Sequence, residues 1–336
     1  MRRISEYMSQ LCDSYKRRLN YLRLSLTDRC NLRCSYCRPF ETASDNEMAG
    51  PLTPREIENL ARALGPLGIC KIRLTGGEPT LRRDLLDIVA TLNSAGHFEK
   101  IALSTNGVLL KDLAFGLKMA GINAINISVD TLDREKFANI TGYDKLMDIL
   151  HGIEVALTAG ITSIKVNAVL MNGINDGDGI NQFLQMVKVW PISVRFIELM
   201  KLGVNESSFA ERYLSPLSII ERLELDGWVA QNHRLSTDGP AQIFRHHDFR
   251  GSVGFILPYS RKFCGECNRI RVDSRGRLRT CLFGKNDYSL RDLLQKEEMR
   301  SHLQDKILSL LDLKPKEHHL EMGDAGKVDG LVSIGG

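Results

Sequence analysis

The sequence predicts an α/β fold built on a parallel sheet, and three observations carry that prediction. Six apolar, β-rich runs alternate with amphipathic helical stretches across the first 200 residues, which implies strands joined by right-handed crossovers. The runs are short and continuous, the pattern expected of strands with both faces covered. The chain has 336 residues, 43% hydrophobic and 26% charged, with a net charge of +4, enough apolar material for a large core and too much for disorder.

The runs are Tyr21–Leu26, Cys70–Leu74, Lys100–Ser104, Ala124–Val129, Ser163–Val169 and Ser193–Leu199. Between them lie the amphipathic stretches Pro54–Leu64, Arg82–Asn93, Lys111–Ala120, Lys145–Ala159 and Gly179–Lys188. Thr53 occupies an N-cap position and Pro54 the first helical position, which sets the start of the first helix. A doubly wound sheet and a barrel both satisfy this rhythm. Six units are fewer than the eight of a closed barrel, so a barrel built from them leaves a side for another element to cover. After Met200 the rhythm changes to one or two helical stretches, a hairpin near Ile270–Thr280 and a polar tail, read as a segment packed on the open side.

Several classes are excluded or left without support. No stretch approaches the ~18–20 consecutive apolar residues of a membrane span. The N-terminal MRRISEYMSQLCDSYKRR has charge with no apolar run behind it, so it does not read as a secretory signal, and a soluble, cytoplasmic protein is expected. The weakly basic balance suits an anionic small ligand at least as well as a nucleic acid. The P-loop pattern is absent: Gly284-Lys285 is followed by Asn286, and Gly326-Lys327 by Val328.

Of eight cysteines, six fall into two groups of three, while Cys12 and Cys70 stand alone as small hydrophobes. Without an export signal, close-spaced thiols read as metal ligands before disulfides. Cys30, Cys34 and Cys37 form C-x3-C-x2-C directly after the first strand, in the kind of loop where α/β folds place chemistry. Thiolates select zinc or iron–sulfur clusters. Three ligands leave one iron of a four-iron cluster open for a ligand, whereas a zinc site would need a distant histidine. TGGEP, Thr75–Pro79, follows the second strand, where its glycines allow close backbone approach.

The second group, Cys264, Cys267 and Cys281, reads C-x2-C-x13-C, which also matches half a zinc ribbon. Between these cysteines Arg269, Arg271, Arg275, Arg277 and Arg279 occupy odd positions, while Ile270, Val272 and Leu278 are even. Strands on each side of the Asp273–Gly276 turn would therefore have one basic and one apolar face. Arg269 and Arg271, next to the thiols, suit a phosphate clamp. For Arg275–Arg279 a solvated face is equally expected.

The first triplet, with Tyr36 completing C-x3-C-x-aromatic-C and TGGEP some forty residues on, resembles the radical S-adenosylmethionine superfamily. Over roughly residues 19–336 the chain resembles the GTP 3′,8-cyclase family of molybdenum cofactor biosynthesis. The matches include YLRLSLTDRCNLRCSYC, KIRLTGGEP, LSTNG, INISVDTLD, IKVNAVLMNGIND, VRFIELM and the second cysteine group. The resemblance implies an incomplete (β/α)6 TIM-like barrel closed by a C-terminal segment, with a [4Fe-4S] cluster at each end of its cavity. The divisions implied are an extension at 1–18, a radical core at 19–200 and a C-terminal segment at 201–336. It also implies that Cys30, Cys34 and Cys37 hold the first cluster and Cys264, Cys267 and Cys281 the second. S-adenosylmethionine would be contacted by Tyr36, Gly77, Ser128 and Met200. GTP would be contacted by Arg23, Arg73, Ser104, Lys165, Arg269, Ile270 and Arg271, with the open iron of the second cluster on guanine. The reaction implied is abstraction of the ribose C3′ hydrogen by a 5′-deoxyadenosyl radical, then attack of C3′ on guanine C8.

In that family the terminal Gly335-Gly336 is an arm reaching the active site. The partners implied are a flavodoxin- or ferredoxin-type reductant and a downstream cyclic pyranopterin monophosphate synthase, with the chain a monomer or homodimer and no nucleic acid or membrane involved. Two other readings stay open at this stage. One is a radical enzyme that modifies a peptide and carries an auxiliary cluster. The other is a metal-stabilised nucleic-acid-binding protein using the arginine strip.

Overall fold

The computed structural model describes residues 11–37, 50–231 and 239–326. Six strands, β1 (Tyr21–Ser25), β2 (Lys71–Thr75), β3 (Lys100–Thr105), β4 (Ala124–Ser128), β5 (Ser163–Leu170) and β6 (Ser193–Glu198), lie side by side in chain order and all parallel. They coincide with the six apolar runs. The helices α1 (Pro54–Leu64), α2 (Leu85–Ser94), α3 (Leu110–Ala120), α4 (Arg134–Thr141), α5 (Leu146–Thr158) and α6 (Asp178–Val189) connect them. No helix among the described residues is long and apolar enough to cross a membrane.

The C-terminal segment extends this curved sheet at both edges. β7 (Val229–Ala230), β8 (Gln242–Arg245) and β9 (Ser252–Ile256) add to the β6 side, where β9 runs parallel to β6. β10 (Arg269–Val272), β11 (Arg277–Arg279) and β12 (Tyr288–Ser289) add to the β1 side, where β10 runs parallel to β1. The result is one twelve-stranded sheet in the order β12-β11-β10-β1-β2-β3-β4-β5-β6-β9-β8-β7. The expected hairpin is β10–β11, with Arg271 opposite Arg279.

The two faces of the strands differ. Leu22, Leu24, Ile72, Leu74, Leu103, Ile125, Val166, Phe196, Phe255, Ile270 and Val272 belong to one continuous apolar core shared with the helices. Their sequence neighbours Arg23, Arg73, Ser104, Asn126, Lys165, Arg195 and Arg271 point the other way. The expectation of two apolar faces is therefore corrected: the inner face is polar. Strands such as KIRLT and SIKVN alternate because the space they enclose is a charged cavity and not a packed barrel core.

The starts of the helices follow local chemistry. Thr53 and Glu56 form a reciprocal capping box on α1, with Thr53 N–H donating to Glu56 Oε2 at 2.7 Å. Glu56 is also bridged by Arg291 at 3.0 Å, and Asn59 and Gln304 make further links, so α1 seats the C-terminal segment. The helix expected from Arg82 begins at Leu85 instead. Arg82 folds onto Asp84 at 2.6 Å and onto the carbonyls of Leu26 and Leu52, which holds it outside the helix. Helix α4 escaped the sequence reading because its buried face is only Phe137, Ile140 and Thr141, although Asp133 caps it through Glu135 N and Lys136 N.

Candidate active site between two cysteine triplets

The register places the two triplets at opposite ends of the cavity. Tyr21 pairs with Arg269 and Leu24 with Val272 in parallel strands. Cys30, Cys34 and Cys37 follow the C-terminal end of β1, whereas Cys264 and Cys267 precede β10 at its N-terminal end. Cys281 follows the antiparallel β11 and returns to that same lower end. Five strand residues separate the ends by about 17 Å.

At the upper end the first triplet is tied down by backbone contacts. Gly77 N donates to Thr27 O and Glu78 N to Arg29 O, both at 2.7 Å. A Cβ on Gly77 would lie 2.2 Å from Arg29 O, so the glycine is required by the approach of TGGEP to the cysteine loop itself. Glu78 is fully buried and accepts from Thr80 N (3.0 Å), Thr80 Oγ1 (2.5 Å), Thr105 Oγ1 (2.7 Å) and Asn106 N (2.6 Å). Burial raises its pKa against these bonds, which act the other way. Asn106 in turn donates to Asn31 Oδ1 at 2.7 Å and lies 3.8 Å from Cys30 Sγ. From the other side, Arg33 N and Ser35 N donate to Thr141 O and Ile140 O at the end of α4.

Tyr36 donates its hydroxyl proton to Asp130 Oδ2, while Asp130 Oδ1 accepts from Val169 N at 2.8 Å. Asp130 is buried, and burial together with its charge pushes the Cys34 thiol well up from its usual value. Ser128 is exposed at the end of β4, and Met200 follows β6, its carbonyl accepting from Asn205 Nδ2 at 2.9 Å. Tyr36, Gly77, Ser128 and Met200 therefore all lie at or just beyond strand C-termini, with Gly77 held against the cysteine loop, whereas Met200 packs with Leu202, Phe283 and Leu320 in a small apolar cluster that also takes in Cys281.

Below them lies a belt of cations. Arg23, Arg73 and Arg271 share one row of the sheet, and Lys165 lies in the row above, alongside Ser104 and Asn126. Lys71, Lys100, Arg195 and Arg269 complete it. Arg73 donates to Tyr21 Oη at 2.5 Å and to Ser104 Oγ at 3.2 Å, and Lys71 Nζ sits 4.1 Å above the Tyr21 ring. Burial depresses Lys165 most, with Arg195, Lys100 and Arg73 adding to it, down to about 6. Lys71 falls to about 8, again by burial first. Arg23 falls to about 9 through burial and neighbouring arginines, which still leaves it charged at neutral pH. Burial alone would raise Tyr21, but Arg73, Arg23 and Lys71 outweigh it and bring the phenol to about 7. Arg271 Nε, Asn126 Oδ1 and Asn167 Oδ1 are buried without a hydrogen-bond partner among the described residues. A belt of this kind demands an anionic, polar ligand.

The arginine strip divides. Arg275 meets Asp28 at 3.5 Å, Arg277 meets Asp273 at 2.7 Å and Arg279 meets Asp287 at 2.6 Å, so these three have carboxylate partners. Arg269 and Arg271 face the cavity, and Arg269 stacks 5.0 Å from the Phe263 ring. Ile270 is fully buried in the apolar core on the opposite face, which leaves only its backbone on the cavity side of that strand. Gly335 and Gly336 lie outside the described residues.

The donor sets fit iron–sulfur clusters better than single ions. A tetrahedral ion with metal–sulfur bonds of ~2.3 Å draws its sulfurs to within about 3.8 Å of one another. In neither triplet do all three sulfurs, or two of them with a histidine, come within 4.8 Å as a group; among the described residues only the surface-turn trio His246, His247 and Asp248 does. Soft thiolates spread this widely suit a polynuclear cluster, and three per site leave one iron open. At the lower triplet burial raises Cys267, but Arg269 and Lys314 outweigh it and hold the thiol at about 6, near the thiolate form that ligation needs.

Sequence reasoning missed Tyr21, Glu78, Lys71, Arg195 and Asp130. For Lys71 a signal is present, since it falls two residues before Arg73 in the alternating KIRLT, whereas Arg195 pairs in register with Asn167 and Gly254, neither of which the sequence singles out. Tyr21 and Asp130 lie inside the matched segments YLRLSLTDRC and INISVDTLD, but their roles become visible only through their partners Arg73 and Tyr36.

A parallel partial barrel with a cysteine triplet after its first strand defines a radical S-adenosylmethionine protein, and the model of the Radical SAM superfamily matches residues 24–184. The model for Molybdenum Cofactor Synthesis C matches residues 192–320. Among solved structures, Streptococcus suis SuiB bound to S-adenosylmethionine is similar over 94% of this chain and 77% of its own, with a TM-score of 0.60 at 12% identity. Native anSMEcpe with bound AdoMet and the Cp18Cys peptide covers 94% and 92%, with a TM-score of 0.59 at 15% identity; both likenesses concern the fold alone. Sequence relatives are nearer. The GTP 3′,8-cyclase of Tolumonas auensis is 46% identical over 324 residues, covering 96% of each chain. That of Stenotrophomonas maltophilia is 46% identical over 329 residues, covering 98% of this chain and 100% of its own. The chain belongs to the GTP 3′,8-cyclase family.

Proposed function

We propose that this chain converts GTP to (8S)-3′,8-cyclo-7,8-dihydroguanosine 5′-triphosphate, the first step of molybdenum cofactor biosynthesis. The observation that carries the reading to substrate level is the cationic belt enclosed between two cysteine triplets. Cys30, Cys34 and Cys37 would hold one [4Fe-4S] cluster, and Cys264, Cys267 and Cys281 the other. The first cluster with S-adenosylmethionine supplies the carbon-centred radical that takes the C3′ hydrogen.

The chain's own residues bind and orient. Tyr36, Gly77, Ser128 and Met200, at or beyond the strand C-termini, would seat S-adenosylmethionine. Arg23, Arg73, Lys165, Arg269 and Arg271 converge on a triphosphate, with Ser104 and the Ile270 backbone beside them and guanine toward the lower triplet. Fixing the ribose between the two ends is the main contribution a protein makes to such a reaction. Residues 19–200 act as the radical core and 201–336 as the segment that brings the second cluster, with 1–18 an extension. A flavodoxin- or ferredoxin-type reductant and a cyclic pyranopterin monophosphate synthase are the partners this role requires. Deleting Gly335 and Gly336 is expected to abolish cyclisation and leave the iron content intact.

The decisive experiment is anaerobic. Reconstituted protein receives S-adenosylmethionine and dithionite, and 5′-deoxyadenosine is quantified with and without GTP. Stimulation by GTP together with a new guanine-derived product is expected. Cleavage indifferent to GTP would transfer the substrate role to a peptide, and salt-sensitive nucleic-acid binding without cleavage would favour the arginine-strip reading.

A further inference from the structure

Lys314 is only 3% exposed and lies beside the lower triplet. Its ammonium donates to Arg269 O at 3.1 Å and to Thr280 O at 2.5 Å. Those carbonyls belong to the two separate arms of the triplet: Arg269 stands two residues after Cys267, and Thr280 immediately precedes Cys281. One side chain thus bridges the start of β10 and the end of β11.

The carbonyls take two of its three N–H donors but leave its charge without a counter-ion. No carboxylate pairs with Lys314 among the described residues, and the two carbonyls that hold its ammonium place it against the residues that flank Cys267 and Cys281. Of the other cations near this triplet, Arg269 and Arg271 face the cavity, and Arg17 is paired. Arg17 donates to Cys264 O at 2.9 Å and to the carbonyls of Pro315 and Lys316, yet Asp13 neutralises it at 2.6 Å. A buried ammonium without a counter-ion is costly, and the cost is offset where a resident anion sits beside it.

We propose that Lys314 is a positioning residue of the second cluster: it clamps the two chain segments that carry Cys267 and Cys281 and holds an uncompensated positive charge beside their sulfurs. Local charge and hydrogen bonding set the potentials of iron–sulfur clusters, and a cation favours the reduced, more negative state. The second cluster is therefore easier to reduce than it would be beside a neutral side chain. The inference rests on the reading that Cys264, Cys267 and Cys281 hold a cluster.

The test uses the full-length chain carrying Cys30→Ala, Cys34→Ala and Cys37→Ala, reconstituted anaerobically, with iron analysis and a redox titration followed by electron paramagnetic resonance. If this parent binds no iron, the cluster assignment fails before Lys314 is touched, and the proposal falls with it. With the parent loaded, Lys314→Gln keeps a donor but drops the charge and is expected to shift the midpoint to more negative values. Lys314→Arg is expected to keep the midpoint near the parent's. In the chain with all its cysteines, Lys314→Met is expected to lower iron from about eight per chain to about four, with the first cluster's signal retained. Loss of iron from Lys314→Gln, restored in Lys314→Arg, also supports the clamp. Parent-like iron content and midpoint in both Lys314→Gln and Lys314→Met would overturn the proposal.

Discussion

Arg73 reaches Tyr21 and Ser104 at once, its Nε donating to the phenol at 2.5 Å and its Nη1 to the Ser104 hydroxyl at 3.2 Å. The guanidinium is thereby fixed across three adjacent strands in the middle of a field of like charge. Tyr21, buried among Arg23, Lys71 and Arg73, provides the electron-rich group that keeps these cations together. The belt is set in place by the fold, and an arriving polyanion finds it already oriented.

Arg269→Ala and Arg271→Ala are each expected to weaken GTP binding roughly 10- to 100-fold, the loss of one or two charge-assisted hydrogen bonds. Neither side chain ligates iron, so both clusters should assemble. Anaerobic calorimetry alongside iron analysis checks this, and unchanged affinity would remove that arginine from the clamp.

Substrate binding near pH 8 is expected to draw protons from solution. Lys165 stands at about 6 and Tyr21 at about 7 among the crowded cations, so before substrate enters the amine is mostly neutral and the phenol largely ionised. A triphosphate supplies negative charge, which raises both pKa values and makes each group take up a proton. Affinity should accordingly fall as pH rises above about 6, the free-state value of Lys165. Calorimetry in two buffers of different ionisation enthalpy measures the uptake; none at pH 8 would contradict it, and Lys165→Met should reduce it.

Glu78→Ala removes the acceptor from two backbone amides and two hydroxyls in a fully buried position. A loss of about 3 kcal/mol in stability is expected, with Glu78→Gln losing about 1 kcal/mol. Urea unfolding of the two variants compares them, and equal stability of Glu78→Ala and the parent would show that the network carries no load.

Gly77→Ala puts a methyl group 2.2 Å from the Arg29 carbonyl and forces TGGEP away from the cysteine loop. Cleavage of S-adenosylmethionine should fall roughly 100-fold, as expected for a displacement near 1 Å at a reacting centre. The lower triplet should load iron normally. Measuring 5′-deoxyadenosine against iron content separates a local effect from global unfolding.

Much of this architecture is legible in the chain. All six core strands, the Thr53 cap and both cysteine triplets can be read directly, because apolar runs, caps and close-spaced thiols are local signals. The rest depends on pairing between distant segments. β7 and β12 are two residues long, and α4 buries only three side chains, too little for periodicity. The difference between Arg271, which faces the cavity, and Arg279, which meets Asp287 at 2.6 Å, is invisible in a run of alternating arginines. It emerges only in three dimensions: Arg271 and Arg279 lie opposite each other on one face of the β10–β11 hairpin, and what separates them is that the chain brings Asp287 onto Arg279. The inner lysines are legible only in part: KIRLT alternates charged and apolar residues, but alternation alone does not say whether the charged face meets solvent or is turned inward.

The way the sheet is completed has a consequence for biosynthesis. β1 is flanked on its outer side by β10 and β6 by β9, so both edges of the six-stranded core are supplied by residues after 250. Until those strands emerge from the ribosome, the nascent chain holds two long parallel edges with unpaired backbone groups beside a trough of uncompensated cations. The substrate chamber is thus among the last things to form during synthesis. Chains truncated before β9 should be sticky intermediates dependent on chaperones and not half-active enzymes.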